Sequence, residues 1–223
     1  MGKEVTFTMS RQIMDLSQKP LRSRTEAIIL LLNTVRMIDI GDSLRLPNAR
    51  EEKIIISINK MSRIFYLLET KWFSMQFPFS VKQHEKQRGM FFYNYDIRIT
   101  QMLLSGLITI FEAMHNKAMH NKMINIYSIF EMLTDPDFTQ ADCSIEEIWF
   151  IVSYLLQYEL GYLRYDVDTE HECGEMHPLY HLDICLSEEV AYKLGLERKF
   201  DFEDFRNILD VTTKCWYLKR PPF

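Results

Sequence analysis

The sequence predicts an α+β protein that is mainly helical: a helical body, then a small antiparallel hairpin or sheet, then a closing C-terminal helix. Three observations carry this expectation. Two segments open with Ser followed three residues later by Glu, Ser23 with Glu26 and Ser144 with Glu147. At that spacing hydroxyl and carboxylate each satisfy an N–H that the first helical turn leaves free. Two more segments carry apolar residues at intervals of three and four, the spacing of one helical face. After Gly161 the texture changes to alternating apolar and polar positions rich in aromatics, which suits strands. The expected organisation is one domain over 1–223, helical over about 23–160 and mixed over about 161–217.

Taken in order, Ser23 opens "SRTEAIILLLNTVRMIDI" as a helix that stops near Gly41. From 50 to 75, Ile54, Ile58, Met61, Phe65, Leu68 and Trp72 line one helical face, although "KIIISI" alone reads equally as a strand. Pro78 and the polar "KQHEKQR" mark a turn or exposed loop. Between 96 and 122 a stripe of Ile99, Leu103, Leu107, Ile110 and Met114 predicts another helix, running into the five-residue repeat "AMHNKAMHNK". Five residues rotate a helix by about 500°, so His115 and His120 point to different faces and form no same-face pair. A helix is expected from about Met123 to Leu133, before Pro136. Ser144 then opens "IEEIWFIVSYLLQYEL", a core helix ending near Gly161. "GYLRYDV" and "LYHLDICLS" read as strands and "YKLGLER" as a third, and Asp201 caps a last helix with Phe202, Phe205, Ile208 and Leu209 facing inward.

An apolar share of 47 % and a charged share of 26 %, with seven Gly and seven Pro, leave no room for a disordered chain. A formal charge of -5 opposes a broad basic face for nucleic acid. Cys143, Cys173, Cys185 and Cys215 form no Cys-x-x-Cys pair, so neither a disulfide framework nor a zinc ribbon is indicated, and reduced thiols in a cytoplasmic protein are expected. The longest uncharged apolar stretches fall far short of a membrane span, and the N-terminus does not read as a signal peptide. Gly-x-Ser-x-Gly, Gly-rich phosphate loops and His-Glu-x-x-His are all missing, which disfavours the familiar hydrolase, nucleotide-binding and metalloprotease classes.

The densest polar chemistry lies in "LRYDVDTEHECGEMHPLYHLD", residues 163 to 183, with three of the six histidines. Asp166, Asp168 and Glu170 alternate as in a calcium loop. The position that needs Gly is His171, however, and the one that needs Glu is His177, so the EF-hand reading fails. As a transition-metal site the stretch offers His171, Cys173 and His177, ligand types that suit a divalent borderline ion such as Zn²⁺. An extended chain from His177 to His181 would keep those two rings too far apart to share one ion. As an acid-base site it offers Arg164, Asp166, His177 and His181. Arginine forks a phosphate, histidine moves protons near neutral pH, and an Asp166 sharing a strand face with Arg164 orients the arginine or a histidine of the neighbouring strand. The plain alternative is an edge hairpin held by cross-strand polar pairs.

This stretch, followed by "FDFEDFRNILDVTTKCW", resembles bacterial families of unknown function, the nearest being domain of unknown function 2290. The resemblance covers about 60 residues and rests on Arg164, Asp166, His177, Pro178, His181, Leu182 and Phe205. It implies a bacterial, cytoplasmic protein and no established activity. From the residues themselves, the first expectation is a non-enzymatic interaction or scaffold protein. Residues 164 to 189 hold eight Asp or Glu against one Arg, which favours a protein partner with a basic patch over nucleic acid. The alternative is a phosphodiesterase or nuclease using Arg164, Asp166, His177 and His181.

Overall fold

The structure, a computed structural model, describes residues 3–40, 52–58, 61–83, 90–119, 144–184, 186 and 193–217. Its organising element is a seven-stranded antiparallel sheet, not a helical body, and this overturns the mainly helical expectation. Residues 23–160 alone contribute six strands. In chain order the elements are β1 (Lys3–Thr8), α1 (Arg11–Gln18), α2 (Arg24–Ile40), β2 (Lys53–Ile58), β3 (Arg63–Leu67) and β4 (Lys71–Gln76). β5 (Ser80–Gln83), β6 (Met90–Asn94), β7 (Ile97–Arg98), α3 (Gln101–Met119) and α4 (Ile145–Gln157) follow. The chain closes with β8 (Leu163–Val167), β9 (Tyr180–Asp183), β10 (Lys193–Gly195) and α5 (Phe202–Leu209). The large sheet runs β1-β2-β3-β4-β8-β9-β10, and β5-β6-β7 form a separate three-stranded sheet.

The helix expected over 50–75 is in fact β2, β3 and β4, a meander in which Ile56 faces Ile64 and Tyr66 faces Phe73. The reason is burial on both faces. Ile54, Ile56, Ile64, Tyr66, Phe73 and Met75 enter one core with α2, α3 and α4. Ile55, Phe65 and Leu67 enter a second core with Phe200 and Phe205. A strand apolar on both sides shows no alternation, and its apolar residues then match helical spacing by chance. β-branched residues in "KIIISI" decide for strand. β1, which pairs along its whole length with β2, gave no sequence signal that stood out.

The helices expected after Ser23, along the 99–114 stripe, after Ser144 and after Asp201 form, although the sequence predicts burial on more than one side for the one after Ser144; α1 forms where none is expected. Both capping boxes are present: Glu26 N–H and Glu147 N–H each donate to the preceding Ser hydroxyl at 3.2 Å, and each Glu carboxylate accepts from its Ser N–H. The stripe from Leu103 to Met114 is buried on α3. α4 buries Ile148, Ile151, Val152 and Leu155 on one face, while Phe150 stays exposed. The three C-terminal strands occur where alternation placed them, and Asp201 caps α5, whose Phe205 is fully buried. The expected helix at 123–133, His120, Gly41, Cys143 and Cys185 lie outside the described residues.

β4 pairs with β8, so the C-terminal hairpin continues the main sheet. Leu163 and Tyr165 of β8 and Leu182 of β9 point into the second core. Arg164 and Asp166 therefore face the other way, on the side where Phe73 and Met75 meet the helices. On this side the apolar layer gives way to charge at the β4–β8 boundary, where Phe73 lies opposite Arg164 and Lys71 opposite Asp166.

Candidate functional site

The site grows out of two registered pairs in the β8–β9 ladder: Arg164 opposite Asp183, and Asp166 opposite His181. Side chains of directly opposed and diagonal residues on one face are within reach of one another, so four polar groups must meet. Arg164 Nε donates to Asp166 Oδ2 at 2.8 Å, and its Nη2 reaches Oδ2 of both Asp166 and Asp183. His181 Nε2 stands 3.5 Å from Asp166 Oδ2. Asp166 thus stands against both the arginine beside it and the histidine of the neighbouring strand, where the sequence predicts one or the other.

Burial shapes the chemistry. The His181 side chain is fully enclosed, and those of Arg164 and Asp166 are each 15 % exposed. His181 Nδ1 lies 2.8 Å from the Pro178 carbonyl, which can only accept, so Nδ1 carries the proton. Burial alone would lower the His181 pKa, but the hydrogen bond to Asp166 and the Pro178 carbonyl outweigh it and raise it, against opposition from Lys193. For Asp166 burial pushes upward, yet His181 and then Arg164 hold the carboxyl below its usual range. Burial disfavours the Arg164 charge, and Asp166, Tyr162 and Asp183 more than restore it. Burial, and then Arg164, lower the neighbouring Lys71 to about 8 against the pull of Asp166. The Lys71 ammonium caps the end of α1 by donating to the Gln18 carbonyl at 2.7 Å.

Toward solvent the network continues through Lys193 of β10, whose Nζ lies 2.9 Å from His177 Nε2 and 3.4 Å from His181 Nε2. His177 Nε2 is also 3.2 Å from Asp168 Oδ2. Without a proton Nε2 accepts from Lys193; as Nε2–H, in either tautomeric or charged form, it donates to Asp168. The loop is ordered by Cys173 N–H donating to the His177 carbonyl at 2.9 Å, with Gly174 in the left-handed region at φ +51°. His171 pairs with Asp168 at 3.0 Å.

Arg164, Asp166, His177 and His181 are therefore brought together. The His177 and His181 ring centroids are 5.0 Å apart, closer than an extended chain allows, because β9 begins only at Tyr180 and the chain bends after Pro178. His171 and His177 rings stack at 6.2 Å. Cys173 is exposed and, among the described residues, joins no converging ligand group. Among the described residues, Asp166, His181 and Asp183 form the group of three His, Cys, Asp or Glu whose ligand atoms all lie within 4.8 Å. Two members that sequence reasoning missed are Asp183 and Lys193. Asp183 lies two residues past His181 on the same strand face, but its role needed the β8–β9 register, and that of Lys193 needed the β9–β10 register. An open cleft of about 890 Å³, floored by Trp72, Phe200 and Phe202, lies elsewhere and includes none of these residues.

The fold and site define a mixed α+β protein with a polar network built into one end of an antiparallel sheet. No protein-family model matches this chain, and no curated protein or solved structure matches it either. Among the described residues no helix is long and apolar enough to cross a membrane.

Proposed function

We propose that this chain is a non-enzymatic interaction protein of the cytoplasm, whose C-terminal hairpin presents an acidic tip to a protein partner with a basic patch. The observation that carries this reading is that the chemistry-bearing groups are engaged inside the fold. The Arg164 guanidinium faces two carboxylates, and His181 is sealed against the Pro178 carbonyl. An arginine neutralised twice offers no free fork for a phosphate. The network then braces β8 against β9, while Glu170, Glu172 and Glu175 stand exposed on the ordered loop.

The resemblance to domain of unknown function 2290 is kept as a proposal of the same kind. In its support, Arg164, Asp166, His177 and His181 build the network, and Leu182 and Phe205 lie in the core beneath it. The phosphodiesterase alternative has one observation in its favour, the convergence of those same four side chains with His177 half-buried.

The experiment measures both. Hydrolysis of RNA, DNA and bis(p-nitrophenyl) phosphate, with and without Mn²⁺ or Zn²⁺, is expected to stay at the buffer rate. A rate that falls in a folded His177→Ala variant would overturn the reading. In parallel, an oligolysine peptide should bind at low salt, weaken as salt rises, and lose affinity when Glu170, Glu172 and Glu175 are changed to Gln. Indifference of binding to those three changes would equally sink it.

A further inference from the structure

The polar network holds one buried atom that none of its contacts satisfies. Asp183 has a side chain only 8 % exposed, and among the described residues its Oδ1 has no hydrogen-bond partner. A buried carboxylate oxygen left without a donor is costly, so it marks a place that a ligand would complete. Arg164 does not compete for it, because the guanidinium reaches Oδ2 of both Asp183 and Asp166.

We propose that Asp166, His181 and Asp183 bind one divalent borderline cation, Zn²⁺ by preference, behind the Arg164 brace. Their ligand atoms lie within 4.8 Å of one another, near enough for side-chain rotation to seat an ion at about 2.0–2.2 Å from each. The histidine is oriented for the task. Its Nδ1–H donates to the Pro178 carbonyl at 2.8 Å, so Nε2 is the nitrogen that faces the cluster, and an entering ion takes its lone pair by displacing the proton shared with Asp166. Positive charge already sits there, since Lys193 Nζ is 3.4 Å from that nitrogen. Lys193 is exposed at the sheet edge, so its flexible stem swings out when an ion takes its place.

The charge of the site selects among ions. Two carboxylates are opposed by Arg164, so a divalent ion leaves an excess of one positive charge. That disfavours ions held by electrostatics alone, such as Mg²⁺ and Ca²⁺, and favours those that bond strongly to imidazole. This ligand set differs from the loop set His171, Cys173 and His177, and it stands independently of the interaction reading.

The test uses the full untagged chain, stripped with a chelator and dialysed. ZnCl₂ and, separately, MgCl₂ are titrated by calorimetry and by thermal shift. One equivalent of Zn²⁺ should bind and raise Tm, with Mg²⁺ far weaker. Asp183→Asn, which keeps the shape of the side chain, should lower Zn²⁺ affinity by about 10-fold or more. Lys193→Ala, a surface change that leaves all three ligands in place, should raise affinity, and the His171→Ala/Cys173→Ser pair should leave it unchanged. The proposal is overturned if the unmodified chain binds no Zn²⁺, if Lys193→Ala weakens binding, or if the loop pair abolishes it.

Discussion

Replacing Arg164 with Met removes the cation that bridges Asp166 and Asp183 and leaves a side chain of similar length. Asp166 keeps His181 at 3.5 Å, but Asp183 loses the partner of its Oδ2 while its Oδ1 already has none. Breaking a buried pair by removing one partner costs about 3–5 kcal/mol. Arg164 and Asp166 are each 15 % exposed, so the lower end applies, about 3 kcal/mol by that principle. For a chain of this size that lowers Tm by roughly 6–12 °C. The deficit should be full at pH 7 and shrink as pH falls through the carboxylate range, where Asp166, which Arg164 helps to hold ionised, protonates. Adding Asp183→Leu to Arg164→Met removes the stranded charge, and the double variant should recover about 1–2 kcal/mol of the loss. Urea unfolding of the four proteins closes the cycle. A single-variant cost below about 1 kcal/mol, the level of an exposed pair, or strictly additive costs would refute the reasoning.

Further outcomes follow from the body of the fold. Gly161 sits at φ +50°, and a Cβ there would lie 3.2 Å from Nη1 of Arg63, whose Nη2 donates to the Gly161 carbonyl and ties it to β3. Gly161→Ala should therefore lower unfolding free energy by about 1–2 kcal/mol in urea melts. Tyr66→Phe deletes the buried hydroxyl pair with Thr34 at 2.9 Å and should cost about 1 kcal/mol, with Phe73 stacking retained. Hydrogen bonding from Arg198 holds the Asp204 carboxyl below its ordinary range. Its contribution is thus present above the unfolded carboxylate pKa and lost as pH falls through the lowered folded value. The stability gap between the unmodified chain and Asp204→Asn should close over that acid window, and a gap constant with pH would contradict the assignment.

How much of this was legible depended on whether an element has one apolar face or two. α2, α3 and α4 announced themselves by caps or by one buried stripe, and β8 and β9 by alternation between a buried apolar face and a polar one. β2 and β3 are buried on both sides, so "KIIISI" and "RIFYL" lost the period that separates strand from helix, and the fold class was misjudged with them. At the site, the shared face of Arg164 and Asp166 was readable from a spacing of two. Asp183 and Lys193 were not singled out, because their roles depend on which strand residue lies opposite which, and the β9–β10 register is set across a connection with no turn signature.

Arg164 is held between Asp166 and Asp183, and on the proposed reading it is not offered to a ligand phosphate. ¹⁵N NMR of the arginine side chains measures this directly. A guanidinium locked by two carboxylates should give separate, slowly rotating Nη signals for Arg164, unchanged by added inorganic phosphate. Rapidly averaged signals that shift on phosphate addition and saturate would contradict the account.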